Sequence, residues 1–298
     1  MVVQIIGKYL IERGIITKGQ MLVLNKERRK SRASLGLVAI SQGFMSADEV
    51  KAIVAESGVD GGLSDRAFAE AVQEMGYLTA GQISSLAYKQ GDSYLSFVQA
   101  LEKMNIIDIE ALEKALLDFA LIDNAVQLDD LKSNDANRII PLYIPAEAGK
   151  YINAAIAAVH YLEQKVDPNI YPVEAAFITD KFSAASGIYQ FAKGEKEYTY
   201  ALVAKGPELA ELATSYTRER YDEVDEEVLE VVSEIIGRIS ANYATELSQD
   251  SVVIDLTPPQ PYGEPHEIVT DEMLILPLSL KYDVFYLLIS MSHEFEIY

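Results

Sequence analysis

Residues 225–242 read Asp225-Glu226-Glu227-Val228-Leu229-Glu230-Val231-Val232-Ser233-Glu234-Ile235-Ile236-Gly237-Arg238-Ile239-Ser240-Ala241-Asn242. Val228, Val231, Val232, Ile235 and Ile239 recur at three- and four-residue steps, which places them on one side of a helix. The spacing predicts a long helix over 223–247 with this stripe buried. Glu234 precedes Arg238 by one turn, the order that favours an i,i+4 ion pair. The run 219–230 holds seven carboxylates and one Arg. Acids at a helix start are favoured by the positive end of the helix dipole. The same charge would steer a basic partner toward this face.

The text on either side of this helix alternates between strand and helix patterns. Residues 145–162 are apolar at helical spacing through Tyr151, Ile152, Ala155, Val159 and Leu162. A strand is expected at 173–178. Residues 188–191 and 198–203 flank Lys193-Gly194-Glu195 and predict a hairpin. Residues 207–218 predict a helix with Pro at its start. After the long helix come a strand at 252–256 and a loop at Pro258-Pro259-Gln260-Pro261. Two strands follow, 273–280 and 284–291, joined at Lys281-Tyr282-Asp283. Strand runs interrupted by helices predict an α+β fold, an antiparallel sheet covered by helices.

The first half of the chain is written differently. Gly14-Ile15-Ile16-Thr17, Gly43-Phe44-Met45-Ser46, Gly76-Tyr77-Leu78-Thr79 and Asn105-Ile106-Ile107-Asp108 recur at steps of 29, 33 and 29 residues. Such a repeat is a duplicated pair of units. Gly or Asn suits a left-handed helix end, and two apolar residues then turn back to the core. Thr17, Ser46, Thr79 or Asp108 caps the next helix. Gln20, Glu49 and Gln82 stand three residues further on, where a capping box needs them. Ile6 and Leu10, Leu35 and Ile40, Phe68 and Val72, and Phe97 and Leu101 precede the four turns. The expectation is an all-α domain of helix-turn-helix repeats over 1–122, jointed at Gly61-Gly62. Residues 123–145, rich in Asn, Asp and Ser with two Pro, are expected to be a linker with a short strand at most. The α+β domain then covers 146–298.

Charge separates the halves as well. The chain of 298 residues carries a formal charge of -21. Residues 1–122 hold 13 basic and 15 acidic side chains, so nearly all of the excess lies beyond them. That balance argues against DNA as a partner and against an anionic membrane surface, both being polyanions. Lys26, Arg28, Arg29, Lys30 and Arg32 form one local basic cluster, which suits a solvated helix end or a phosphate site. No Cys is present, which excludes disulfides and thiolate chemistry. No signal peptide and no membrane span are expected, and the default location is the cytoplasm. His160, His266 and His293 lack metal-ligand spacing and are expected at or near the surface, so no metal or other cofactor is called for.

Two resemblances emerge from these residues. The text 225–242, with the strand at Ser186-Gly187-Ile188 and the helix at Tyr151-Ile152-Asn153-Ala154-Ala155, resembles the CheX family of chemotaxis phosphatases, related to CheC and the middle domain of the flagellar switch protein FliM. Ile6-Gly7, Leu10, Gly14, Ile16 and Met21, echoed by Leu35-Gly36, Gly43 and Met45, resemble the N-terminal domain of type II secretion and pilus ATPases, the MshEN type. No Walker-type glycine pattern accompanies it.

The first resemblance implies a bacterial two-component or chemotaxis-type signalling protein, plausibly a homodimer, whose partner is a response-regulator receiver domain. The family sets a Glu and, three residues on, an Asn side by side. The Glu pairs with a Lys of the regulator and the Asn orients the attacking water. Here Glu234 stands at the first place and Gly237 at the second. The expectation is therefore a phosphatase-like domain with lost or weakened activity that binds partners through Glu227, Glu230, Glu234, Arg238 and Asn242. The alternative is an active phosphatase using Glu234. The second resemblance implies cyclic di-GMP binding. Its Arg positions are occupied here by Ile5 and Ser34, leaving Arg28, Arg29 and Arg32 as candidate substitutes.

Overall fold

The computed structural model describes residues 1–28, 32–56, 64–119, 125–280, 283–292 and 294–298. Two compact units emerge, Ile6–Asn134 with Val2, and Asp135–Tyr298 with Met1 and Val3–Ile5.

The first unit is helical: α1 Val2–Glu12, α2 Lys18–Arg28, α3 Leu35–Ser41, α4 Ala47–Glu56, α5 Asp65–Glu74, α6 Ala80–Lys89, α7 Ser93–Lys103, α8 Ile109–Leu116 and α9 Ala125–Lys132. The repeated turns behave as their spelling predicts. Gly14, Gly43, Gly76 and Asn105 have φ of 69°, 68°, 76° and 52°. Each N–H bonds the carbonyl three residues back, and the next N–H reaches five back, as in Ile15 to Leu10 and Tyr77 to Val72. The capping boxes form at Thr17–Gln20, Ser46–Glu49 and Thr79–Gln82. Asp108 caps alone, accepting from Ala111 N at 2.9 Å. Ile6, Leu10, Phe68, Val72, Phe97 and Leu101 are buried. In the second repeat the buried residue four before the turn is Ala39, whereas Ile40 is half-buried. The Gly61-Gly62 joint lies outside the described residues.

The stretch expected to be a linker contains two helices, α9 and α10 (Ala136–Tyr143). Its Asn and Asp residues do punctuate the chain, but briefly. Asn134 takes φ 53°, and Asp135 Oδ1 accepts from Asn137 N at 2.9 Å as an N-cap. Ile139, Ile140 and Tyr143 are buried, and that apolar side carries α10 past Pro141, which gives up one backbone donor.

The second unit continues with a 3₁₀ turn Ala146–Tyr151, α11 Ile152–Tyr161 and a π turn Leu162–Val166. Then come β1 Tyr171–Pro172, β2 Phe177–Ala184, β3 Ser186–Gly194, β4 Tyr198–Ala204, α12 Glu208–Thr217 and α13 Glu226–Gln249. β5 Ile254–Leu256, β6 Gln260–Tyr262, β7 His266–Leu280, β8 Asp283–Ser290 and β9 Phe295–Ile297 complete it. Every pairing is antiparallel, in the order β1-β7-β8-β4-β3-β5, with β2 and β9 also on β7 and β6 on β3.

Strand limits depart from the expectation where pairing partners, not local composition, set them. The strand expected at 173–178 is displaced, because β2 begins only at Phe177, where it meets Ile275 of β7. β7 starts at His266 rather than 273, since β2 and β9 both pair with its first half. Part of the expected Pro-rich loop pairs with β3, Pro261 opposite Ile188 and Gln260 opposite Tyr189.

Helices pack on one face of the sheet. Tyr198 Oη donates to the Ser240 carbonyl of α13 at 3.1 Å, and Tyr200 Oη to the Ala154 carbonyl of α11 at 2.6 Å. Alternate residues Ala201 and Val203 point the other way, into a second core with Phe182, Tyr189, Met273, Ile275 and Leu288. On α13, Val228, Val232, Ile235, Ile236 and Ile239 are fully buried, while Val231 is half-buried.

Candidate functional site

The start of α13 is set by Asp225, whose carboxylate accepts from Val228 N at 3.0 Å. Burial of the valine and isoleucine stripe then fixes which side faces water. Glu227, Glu230, Glu234, Arg238 and Asn242 are all exposed. Their steps of three and four residues align them along one face, spanning about 22 Å at 1.5 Å per residue. Part of the acidic run is used locally: Asp225 caps the helix and Asp222 pairs with Arg220 at 2.8 Å.

Glu234 is the most engaged residue of this face. Its Oε1 accepts from Tyr216 Oη of α12 at 3.0 Å, and Arg238 Nη2 stands 3.8 Å from the same oxygen. Tyr161, the last residue of α11, lies beside Tyr216. Burial, and then the neighbouring Tyr216, push the Tyr161 phenol well above its ordinary range. Helices α12 and α13 thus meet at one carboxylate. The i,i+4 spacing revealed Arg238. Nothing in the spacing pointed to Tyr216 or Tyr161, which lie 18 and 73 positions from Glu234 along the chain.

Gly237 lies one turn beyond Glu234 without a close neighbour. Beyond its own helix and among the described residues, a β-carbon there would meet only Pro259 Cγ, at 3.9 Å. A glycine within a helix can mark close approach of another group, and no described residue makes such an approach here. Asn242 is two turns past Glu234, roughly 12 Å along the axis.

The other predicted positions are used structurally or stand apart. Ile5 is buried, and Ser34 caps α3, accepting from Leu37 N at 3.2 Å. Arg28 closes α2 and is half-buried, Arg32 is exposed, and Arg29 lies outside the described residues. His160 is exposed and contacts Gln164 at 2.6 Å. His266, expected near the surface, is buried in an aromatic cluster between the Tyr189 hydroxyl and the Glu264 carbonyl, because β7 extends through it. His293 lies outside the described residues. Among the described residues, no group of three or more His, Asp or Glu could hold a metal ion, and no helix is long and apolar enough to cross a membrane.

No family profile and no curated protein matches this sequence. Solved structures similar to about half of the chain are CheC- and CheX-type chemotaxis proteins. A CheC-like superfamily protein from a Shewanella species is 19% identical, covering 49% of this chain and 97% of its own, with a TM-score of 0.42. A chemotaxis protein CheX from Desulfovibrio desulfuricans is 13% identical over 48% of this chain and 98% of its own, with a TM-score of 0.41. CheX from Borrelia burgdorferi, solved in complex with CheY, beryllofluoride and Mg, is 23% identical over 49% and 97%, with a TM-score of 0.39.

Proposed function

We propose that the unit built around α13 binds a signalling protein, specifically a response-regulator receiver domain, and that it does so without efficient phosphatase chemistry. The carrying observation is the pair of exposed Glu234 and, one turn on, half-buried Gly237. Glu234 offers a carboxylate on a helix face bordered by Glu227 and Glu230, which suits a partner presenting a cationic side chain. One turn on, Gly237 supplies no amide to orient a water, and Asn242 is about 12 Å away. The face therefore retains the recognition group and lacks the positioning group. The helical repeats, over 1–122, form a separate domain in this proposal.

The test uses the full chain and a purified receiver domain. Titration calorimetry with the beryllofluoride-activated receiver is expected to show binding that Glu234→Ala abolishes. Incubation with the phosphorylated receiver is expected to leave its phosphate half-life unchanged. Absence of binding overturns the partner assignment. Accelerated phosphate loss that requires Glu234 establishes the active phosphatase instead.

A further inference from the structure

We infer that Tyr216 is a positioning residue for the docking carboxylate. The inference rests on the partner-binding role of Glu234 given above. An ionised carboxylate has no proton to give, so the Tyr216–Glu234 bond uses the single Tyr216 proton. The direction, Tyr216 to Glu234, is thus dictated by donor inventory. Tyr216 is half-buried and sits near the C-terminal end of α12, so its position is set by the fold. Glu234 itself is a flexible side chain on an exposed face.

The consequence concerns which oxygen is presented. Tyr216 and Arg238 both address Oε1. No partner of Oε2 occurs among the described residues. Holding one oxygen fixes the carboxylate plane and offers the other to the cation of an incoming protein. A pre-oriented acceptor loses less side-chain freedom on docking than a free one.

The experiment is a double-mutant cycle on the full chain, read by calorimetry with the beryllofluoride-activated receiver domain. Tyr216→Phe keeps the ring and removes only the hydroxyl. It is expected to weaken binding about fivefold, the size of one ordinary hydrogen bond. In the Glu234→Gln background the same change is expected to cost less than about twofold, because the charge it serves is gone. Unchanged affinity in Tyr216→Phe, or an equal loss in both backgrounds, overturns the inference while leaving the docking role of Glu234 standing. A wild-type chain that does not bind the receiver, or a Glu234→Gln chain that binds as well as wild type, overturns both.

Discussion

Gly237 faces Pro259 with room to spare: from the place its β-carbon would occupy, the nearest atom beyond its own helix, among the described residues, is Pro259 Cγ at 3.9 Å. The missing side chain is therefore not imposed by packing. Gly237→Asn is expected to leave α13 intact and to gain roughly 0.3 kcal/mol of stability from helix propensity, measurable as a small rise in the urea midpoint. It also restores an amide one turn from Glu234. In the phosphorylated-receiver assay this variant is expected to speed phosphate loss over wild type, and Glu234→Ala added to it should remove the gain. A correctly folded Gly237→Asn chain that binds the receiver and leaves its phosphate untouched would contradict the idea that one amide is what this face lacks.

Gly7 and Gly36 occupy equivalent places in the first two repeats, yet their tolerance should differ. A β-carbon at Gly7 would collide with the Met21 Cε methyl and stand 2.7 Å from Sδ, the far end of a side chain that can swing aside. At Gly36 the obstacle is Val50 Cγ1 at 2.8 Å, on a β-branched residue stiff at χ1. Overpacking costs about 1–3 kcal/mol, against about 1 kcal/mol gained from replacing a helical glycine by alanine. Gly7→Ala is thus expected to be close to neutral in chemical denaturation and Gly36→Ala clearly destabilising. Equal midpoints for the two would refute the argument from side-chain stiffness.

Thr79 and Gln82 exchange bonds in both directions at the start of α6, at 2.8 Å and 3.3 Å. Thr79→Ala leaves backbone donors of the first turn without their side-chain acceptor. A loss of about 1 kcal/mol is expected in urea denaturation. Ala111 stands where the fourth repeat would need Gln or Glu, so Asp108→Ala should remove a single cap bond. The comparison measures what the reciprocal half of the box adds.

Glu102 gives a pH dependence with a definite sign. Its carboxylate accepts from Ile109 N at 3.3 Å, and burial holds its pKa above the ordinary value, with Asp108 acting in the same direction and Lys51 against it. A raised folded-state pKa means stability present below the unfolded pKa and lost as pH rises through the folded one. Glu102→Gln keeps an acceptor for Ile109 and removes the charge. Thermal unfolding is expected to show a higher Tm than wild type at pH 7, the difference shrinking as pH falls through the raised folded-state value and gone below about 4. A Tm difference independent of pH would show that burial of the charge is not the cause.

Local chemistry made the helical half legible. A left-handed helix end, a cap and a reciprocal Gln or Glu are satisfied within a few residues, so four turns could be placed before any packing was known. The long helix was legible for a related reason: Val228, Val232, Ile235 and Ile239 repeat often enough to define a face by themselves. The misplaced parts depend on distant partners. β2 begins at Phe177 because β7 offers Ile275 there, and residues 260–262 join the sheet because Gly187 and its neighbours accept them. Composition also exaggerated the break near 123–145, where one Asn in the left-handed region and one Asp cap separate helices over 125–132 and 136–143.

The candidate site divides along the same line. Glu234, Arg238 and the vacant Gly237 share a helix, so their common face follows from 3.6-residue periodicity and needs no fold. The chain text therefore determined the repeated helical turns, the acidic face of α13 and the absence of a side chain beside Glu234. Tertiary packing alone brought Tyr216 to the carboxylate, because a hydrogen bond across 18 residues exists only once α12 is docked against α13. It also decided that Gly237 is an open position, a property of the loop carrying Pro259 and not of the helix.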